Sequence, residues 1–316
     1  MRWSSTFTAL ASILAVARAR PSTRSRLRRD LVGKEFKVYT AVGDSYGSGV
    51  GAGSPTPQDK THPECHRNDG AYAYLYSQKH PDMEFHFNAC SGAQSGSTLD
   101  AQITAGNSDF KSPDLVTISA GRNDQASFYD VAVECSVLRQ TDPCDKNLKK
   151  ASDTFNGQAF HDDIKRLVVG AATHNPFQAE GRLVLVMGYP QLYNEGSLRP
   201  DCISRDYRVK INNLAKDLNK ALEKATTEAG QEIKGFPYFS QAVPRFVDVD
   251  PKFNDHRLCN WESASWIIGG PDSRARRNET DIDLFHPNVD GDKSGFLAAM
   301  EEDLASQDIW TGPGVP

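Results

Sequence analysis

Residues 37–46 read KVYTAV and then GDSY: a short apolar, β-branched run that stops at Gly43-Asp44-Ser45-Tyr46. Further runs of the same kind are Met83–Asn88 (MEFHFN), Asp114–Ala120 (DLVTISA), Arg182–Gly188 (RLVLVMG) and Arg245–Val249 (RFVDV). The runs at 114–120 and 182–188 are nearly continuous in apolar residues, as strands covered on both faces are. Helical patterns lie between the runs. Ala71–Lys79 follows a polar loop, and Asp153–Thr173 places Phe160, Ile164, Leu167, Val168 and Ala171 at three- and four-residue steps. Ser204–Ala229 repeats the pattern through Val209, Ile211, Leu214, Leu218, Leu222 and Ala225, and Lys293–Ala305 closes the series. Strands alternating with helices predict an α/β chain with a parallel sheet, helices on both faces and right-handed crossovers. No internal repeat or clear linker divides the chain, so one domain over residues 30–316 is expected. Two irregular stretches, 126–150 and 250–282, read as long loops.

The 316 residues are 38% hydrophobic and 24% charged, with 24 Gly and 17 Pro. That excludes a collagen-like, low-complexity or wholly disordered chain. The formal charge of −5 hides an asymmetry, because residues 1–29 hold seven Arg and no acid. Without them the 36 basic residues fall to 29 against 41 acidic ones, a net of −12. Such a chain is poorly suited to binding nucleic acid by neutralising phosphates.

The N-terminus reads as a secretory signal over residues 1–19: Arg2, an apolar stretch Phe7–Val16, and Ala17-Arg18-Ala19 fitting the small-x-small cleavage rule. A buried N-terminal helix is the other reading. Arg20–Arg29 (RPSTRSRLRR) reads either as a propeptide ending at a dibasic pair or as a solvated tail. No later stretch is long and apolar enough to be a transmembrane helix. Six cysteines behind a signal peptide, Cys65, Cys90, Cys135, Cys144, Cys202 and Cys259, imply disulfides. Of the fifteen connectivities, pairing in sequence order is favoured because short loops close most easily. A zinc site is disfavoured: there is no Cys-x-x-Cys, and Pro63 spoils a helical ligand face between His62 and His66. The sequon Asn278-Glu279-Thr280 is expected to be glycosylated and exposed in a secreted eukaryotic protein. The chain is expected to be a secreted monomer.

Ligands of open parallel sheets bind outside the carboxyl ends of the strands, and four strand ends or nearby segments carry chemistry. Ser45 follows Gly43-Asp44 and precedes a turn rich in glycine (Gly47, Gly49, Gly51, Gly53). It could present its hydroxyl to a cleft, or cap a helix in a phosphate loop, although the P-loop pattern is absent. The second run leads into Cys90-Ser91-Gly92-Ala93, where glycine lets the backbone approach a ligand or simply makes a turn. The third ends in Gly121-Arg122-Asn123-Asp124, where Asn123 could aim its amide at developing negative charge or serve as a turn residue. Near the C-terminus, Asp281-Ile282-Asp283-Leu284-Phe285-His286-Pro287 places Asp283 three residues before His286. Asp283 could fold back onto the imidazole Nδ1, with Asp281 the less favoured substitute.

Taken together and in this order, the four blocks resemble the SGNH hydrolases, also called GDSL esterases and lipases, over about residues 36 to 300. The marker residues fall on Ser45, Gly92, Asn123 and His286, and the cysteine arrangement looks closest to the secreted, disulfide-bonded lipase and esterase branch. Two positions depart from the family pattern: Tyr46 stands for Leu in GDSL, and Arg122 for the second Gly of GGND. The resemblance implies a flavodoxin-like three-layer α/β/α sandwich with a five-stranded parallel sheet, and a serine ester hydrolase. Ser45 would be the nucleophile, His286 the general base and acid, and Asp283 its orienting carboxylate. The oxyanion would be held by the N–H groups of Ser45 and Gly92 and the amide of Asn123. No metal or organic cofactor is called for. Phe253, Trp261, Trp266 and Ile267-Ile268 could line an acyl pocket or pack their loop onto the domain. A carbohydrate acetyl esterase and a non-catalytic secreted binding protein are the alternatives to a lipid or short-chain esterase.

Overall fold

Each of the five apolar runs forms a strand in the computed structural model: β1 (Val38–Gly43), β2 (Glu84–Phe87), β3 (Leu115–Ser119), β4 (Leu183–Met187) and β5 (Val243–Val247). The structure describes residues 36–106, 109–124, 128–174, 181–236, 242–260, 265–269 and 281–306. The expected signal segment, the Arg-rich segment, Trp261 and the Asn278 sequon lie outside them.

All pairings are parallel, in the order β2-β1-β3-β4-β5. This is the flavodoxin-like strand order, whose direction of travel reverses between β1 and β3 and opens a crevice at their carboxyl ends. β3 and β4 are buried along their whole length, as their continuous apolar sequences require. Six helices are used below: α1 (Ser45–Ser48), α2 (Tyr72–Lys79), α3 (Thr141–Phe155), α4 (Gln158–Thr173), α5 (Arg205–Lys234) and α6 (Ala298–Ala305). α4 and α5 pack on each other and against β4 and β5, whereas α2 packs on the turn Gly291–Leu297 that leads into α6. The β1-to-β2 crossover runs in the opposite direction to the others, so right-handedness puts α2 on the opposite face from α4 and α5.

Several boundaries differ from the sequence reading. The stretch 126–150 is not an irregular loop: residues 128–138 are helical and α3 begins at Thr141. α3 buries Cys144, Leu148, Ala151 and Phe155 at four- and three-residue steps, a pattern thinly spread among lysines and aspartates. The helix expected to begin at Asp153 begins at Gln158 instead, because Gly157 in extended backbone separates α3 from α4. α5 runs on to Lys234 and stops at Gly235. The cysteines pair as loop closure favours: Cys65–Cys90, Cys135–Cys144 and Cys202–Cys259.

Gly43, the last residue of β1, has φ +134. A Cβ built on it would lie 2.0 Å from the Ser119 carbonyl oxygen. That carbonyl accepts the Asp44 N–H at 2.7 Å. On its other side, the Gln102 side chain accepts from the Gly43 N–H at 2.7 Å and donates to its carbonyl at 2.9 Å. Only glycine fits between the two partners. Gly43→Ala is expected to cost about 3 kcal/mol or more through overpacking and backbone strain. Thermal denaturation should show a melting temperature lower by about 6–12 °C, since 1 kcal/mol moves a domain of this size by about 2–4 °C.

Candidate active site

At the mouth of the β1–β3 crevice the chain turns directly from β1 into α1. Asp44 caps this short helix, its carboxylate accepting the Tyr46 N–H at 3.0 Å. Ser45 is therefore the first helical residue and is buried, 6% exposed. The His286 Nε2 lies 2.7 Å from Ser45 Oγ across 241 residues of sequence. His286 is itself 4% exposed.

The Nδ1 of His286 faces the main-chain carbonyl of Leu284 at 3.0 Å. A carbonyl only accepts, so Nδ1 carries the hydrogen and Nε2 presents its lone pair to the serine hydroxyl. This corrects the expectation that the Asp283 carboxylate would take that position. Asp283 ends a short turn, Asp281–Asp283, and its main-chain carbonyl accepts the His286 N–H at 3.2 Å. Its Cβ lies 3.7 Å from where a Cβ on Gly51 would sit. The intervening Phe285 takes φ +63, and this kink accompanies the placement of the Leu284 carbonyl against the ring. Three residues of separation in sequence did not reveal this turn.

Gly92 has φ +79, and no atom lies within 4 Å of a Cβ built there, so its outer side is open space. Among the described residues, no group accepts from the Gly92 or Ser45 N–H. The Asn123 amide donates one hydrogen to the Ala93 carbonyl at 3.2 Å, leaving a second for the cleft. The Gln94 side chain donates to the Asn123 carbonyl at 3.1 Å. Asp124 accepts from the Ser95 N–H at 2.8 Å and is also hydrogen-bonded to the Ser95 hydroxyl. These bonds join the Gly92 turn to the end of β3. The Cys65–Cys90 disulfide anchors the turn from the other side, where Ser91 N–H donates to the Cys65 carbonyl at 3.1 Å. Asp124 and Gln94 were missed in the sequence because their partners are set by the crevice, not by spacing.

Behind the serine lies a buried polar group of four residues. Asp44 accepts from the Tyr189 hydroxyl at 2.7 Å. Burial pushes its carboxyl up to about 6, although the Tyr189 hydroxyl, the Tyr46 N–H and the Arg122 charge pull the other way. The Arg122 guanidinium lies over the Tyr46 ring at 4.4 Å and the Phe128 ring at 4.9 Å. His286 is pushed down to about 3, first by burial and then by the Arg122 charge. Phe253, Ile267 and Ile268 are buried. Ile268 exchanges main-chain hydrogen bonds with the segment that carries His286, at 2.8 Å to His286 and 2.5 Å from Phe285. Trp266 stacks on His256 with ring centroids 3.5 Å apart. The cluster thus packs the histidine segment onto the domain. Among the described residues, no group of three or more metal-ligating side chains converges.

A serine hydroxyl facing a neutral imidazole, beside open N–H donors at the end of a parallel sheet, defines a serine hydrolase of α/β architecture. The chain belongs to the GDSL-like Lipase/Acylhydrolase family, which it matches over residues 39–296, and is a carboxylic-ester hydrolase. It is 31% identical over 264 residues to a lipase of Streptomyces rimosus, covering 83% of this chain and 85% of that one. Among solved structures, it is similar to an extracellular lipase from Streptomyces rimosus with TM-score 0.68 and 29% identity, covering 84% of this chain and 99% of that one. A phospholipase A1 from Streptomyces albidoflavus gives TM-score 0.67 and 27% identity, covering 85% and 99%.

Asp283→Asn is expected to retain kcat within about tenfold of wild type on a p-nitrophenyl ester. Loss of the aspartate from a full Ser-His-Asp triad costs about 10⁴-fold. The base form of His286 persists below pH 6.5, because its protonation is disfavoured down to about 3. The acid limb of kcat/KM should therefore lie nearer pH 3 than pH 6.5, provided the fold survives. The unfolded chain takes up this proton first, so the stability that His286 contributes above pH 6.5 is lost as pH falls through that interval.

Proposed function

We propose that Ser45 is the nucleophile of a secreted esterase acting on lipid or short-chain acyl esters, with His286 as base and the Leu284 carbonyl as its orienting partner. The single observation that carries this is the 2.7 Å contact between Ser45 Oγ and His286 Nε2. Ser45 Oγ attacks the ester carbonyl carbon as its proton passes to Nε2. The tetrahedral oxyanion then lies toward the Ser45 and Gly92 N–H groups and the free hydrogen of the Asn123 amide. Collapse breaks the bond to the alcohol, which leaves with the proton from Nε2. Water, deprotonated by the same nitrogen, attacks the acyl carbon; the bond from that carbon to Ser45 Oγ then breaks, Nε2 returns the proton to Oγ, and the carboxylic acid leaves.

The lipid side of the reading is supported by the likeness to a lipase and a phospholipase A1. Secretion is supported by the three disulfides, which persist in oxidising compartments. We place the mature protein after the 1–19 signal, as one domain over 30–316 carrying a glycan at Asn278 and acting as a monomer. No described helix is long and apolar enough to cross a membrane.

An organophosphonate should label Ser45 in the wild type and leave Ser45→Ala unlabelled. Ser45→Ala should lose about 10⁴-fold or more in kcat, and Asn123→Ala about 10²- to 10³-fold, with its melting temperature preserved. Phosphonate attached elsewhere, or Ser45→Ala hydrolysing at the wild-type rate, removes the assignment. Turnover compared on p-nitrophenyl acetate, p-nitrophenyl decanoate and acetylated xylan is expected to favour the p-nitrophenyl esters. Preference for the polysaccharide would move the substrate to carbohydrate acetyl groups.

A further inference from the structure

The two positions at which this chain departs from the motif pattern, Tyr46 and Arg122, meet in the folded protein at one atom. The Tyr46 hydroxyl donates to the Phe285 carbonyl oxygen at 2.5 Å. Arg122 Nη1 donates to the same oxygen at 3.3 Å. Tyr46 is 1% exposed and Arg122 3% exposed, and the guanidinium lies on the tyrosine ring. The Tyr46 ring is in turn 5.2 Å from the imidazole of His286, centroid to centroid. Ser45, Tyr46 and Arg122 belong to two different strand ends, yet both donors reach the peptide unit immediately before His286.

That peptide unit matters because of how the imidazole is held. A carboxylate partner orients a histidine through a side chain that can adjust to it. Here the Nδ1 partner is the carbonyl of Leu284, so the ring is only as well placed as the backbone of residues 284–286. That backbone is in a conformation that bulky residues rarely adopt, with Phe285 at φ +63. It must be held there by its surroundings. The Phe285 carbonyl plane fixes the direction from which the His286 Cα–Cβ bond leaves the chain, and with it the reach of Nε2 toward Ser45.

We propose that Tyr46 and Arg122 act together as positioning residues for His286, clamping the Phe285 carbonyl so that the backbone-partnered imidazole stays aligned with Ser45. This rests on the catalytic roles given above to Ser45 and His286. Tyr46 supplies the short hydrogen bond. Arg122 supplies a second donor and, lying over the ring, holds Tyr46 in place. Neither residue touches the substrate. The clamp acts against a cost, since the Arg122 charge disfavours the imidazolium formed during the reaction. A residue present only for its charge would therefore slow the enzyme.

The test uses Tyr46→Phe, Arg122→Met and the double variant in the full-length secreted protein. Active sites are titrated with a p-nitrophenyl phosphonate, so that turnover is read per reactive Ser45. Arg122→Met should lower kcat per titrated site by about 10- to 100-fold with KM within about twofold, as expected for misplaced catalytic groups. The rate of phosphonylation should fall by the same factor. Tyr46→Phe should lower kcat by about 3- to 10-fold, the scale of one hydrogen bond. The double variant should be no worse than about twofold below Arg122→Met, because the two residues serve one acceptor. Arg122→Lys, which keeps the cation and most of the packing volume, should fall between wild type and Arg122→Met, and stands in if the methionine variant fails to fold. Unchanged or raised kcat per titrated site in Arg122→Met or Arg122→Lys overturns the proposal, as does a double variant whose losses multiply. Wild-type protein that hydrolyses esters but resists labelling at Ser45 would instead overturn the nucleophile assignment beneath it.

Discussion

The hydrogen bond from His286 Nδ1 to the Leu284 carbonyl, at 3.0 Å, decides most of what the rest of the site must do. It selects the tautomer that turns a lone pair toward Ser45. It also shifts the task of orienting the ring from a side chain to a length of main chain. A surface turn would not hold such a bond steady, and this turn is not left at the surface. Phe285 and His286 are buried, and both pair with Ile268. Gly291, two turns further on, lies so close to Trp266 and Phe253 that a Cβ there would meet the Trp266 carbonyl at 2.6 Å. The segment 265–269, the histidine turn and the start of the C-terminal helical stretch are thus packed as one body behind the imidazole.

Burying so many polar groups around Ser45 is costly unless they partner one another. Asp44, Tyr46 and Tyr189 meet that requirement, and Arg122 meets it in part, with Nη1 on the Phe285 carbonyl and Nη2 without a hydrogen-bond partner among the described residues. The carboxyl accepts from Tyr189 and from the Tyr46 main chain, and the guanidinium is spread over two aromatic faces. The arrangement also accounts for the neutral state of His286. A desolvated imidazole near a fixed cation takes up no second proton at neutral pH and stays neutral, with its one hydrogen on Nδ1. Asp292, fully buried on the other side of Tyr72, follows the same rule. Its carboxyl is pushed well up by burial and accepts the first N–H of α2 at 3.0 Å. Burial thus disfavours a full charge on the carboxyl that meets the start of this helix.

β3 and β4 were legible because burial on both faces leaves a continuous apolar run, and the period of the long helix α5 was legible because one face is charged. What misled was composition in the segment 126–150. Its lysines and aspartates suggested a loop, while four buried positions of α3 carry a helix that the Cys135–Cys144 bridge ties down. Asp283 misled for a different reason. A three-residue spacing allows a side chain to fold back, but the direction it takes depends on the turn, and here the turn offers the backbone carbonyl first.

From the sequence alone came the alternation that makes a parallel sheet and the identities of the serine, glycine, asparagine and histidine blocks. Those are local facts, set by periodicity and by which side chains a tight turn tolerates. Tertiary structure alone decided that Arg122 and Tyr46 converge on the carbonyl before His286, and that a main-chain oxygen holds the imidazole. The Arg122 and Tyr46 contacts join residues separated by 163 and 239 positions. Their geometry is fixed by how the crevice closes, and neither composition nor spacing encodes it.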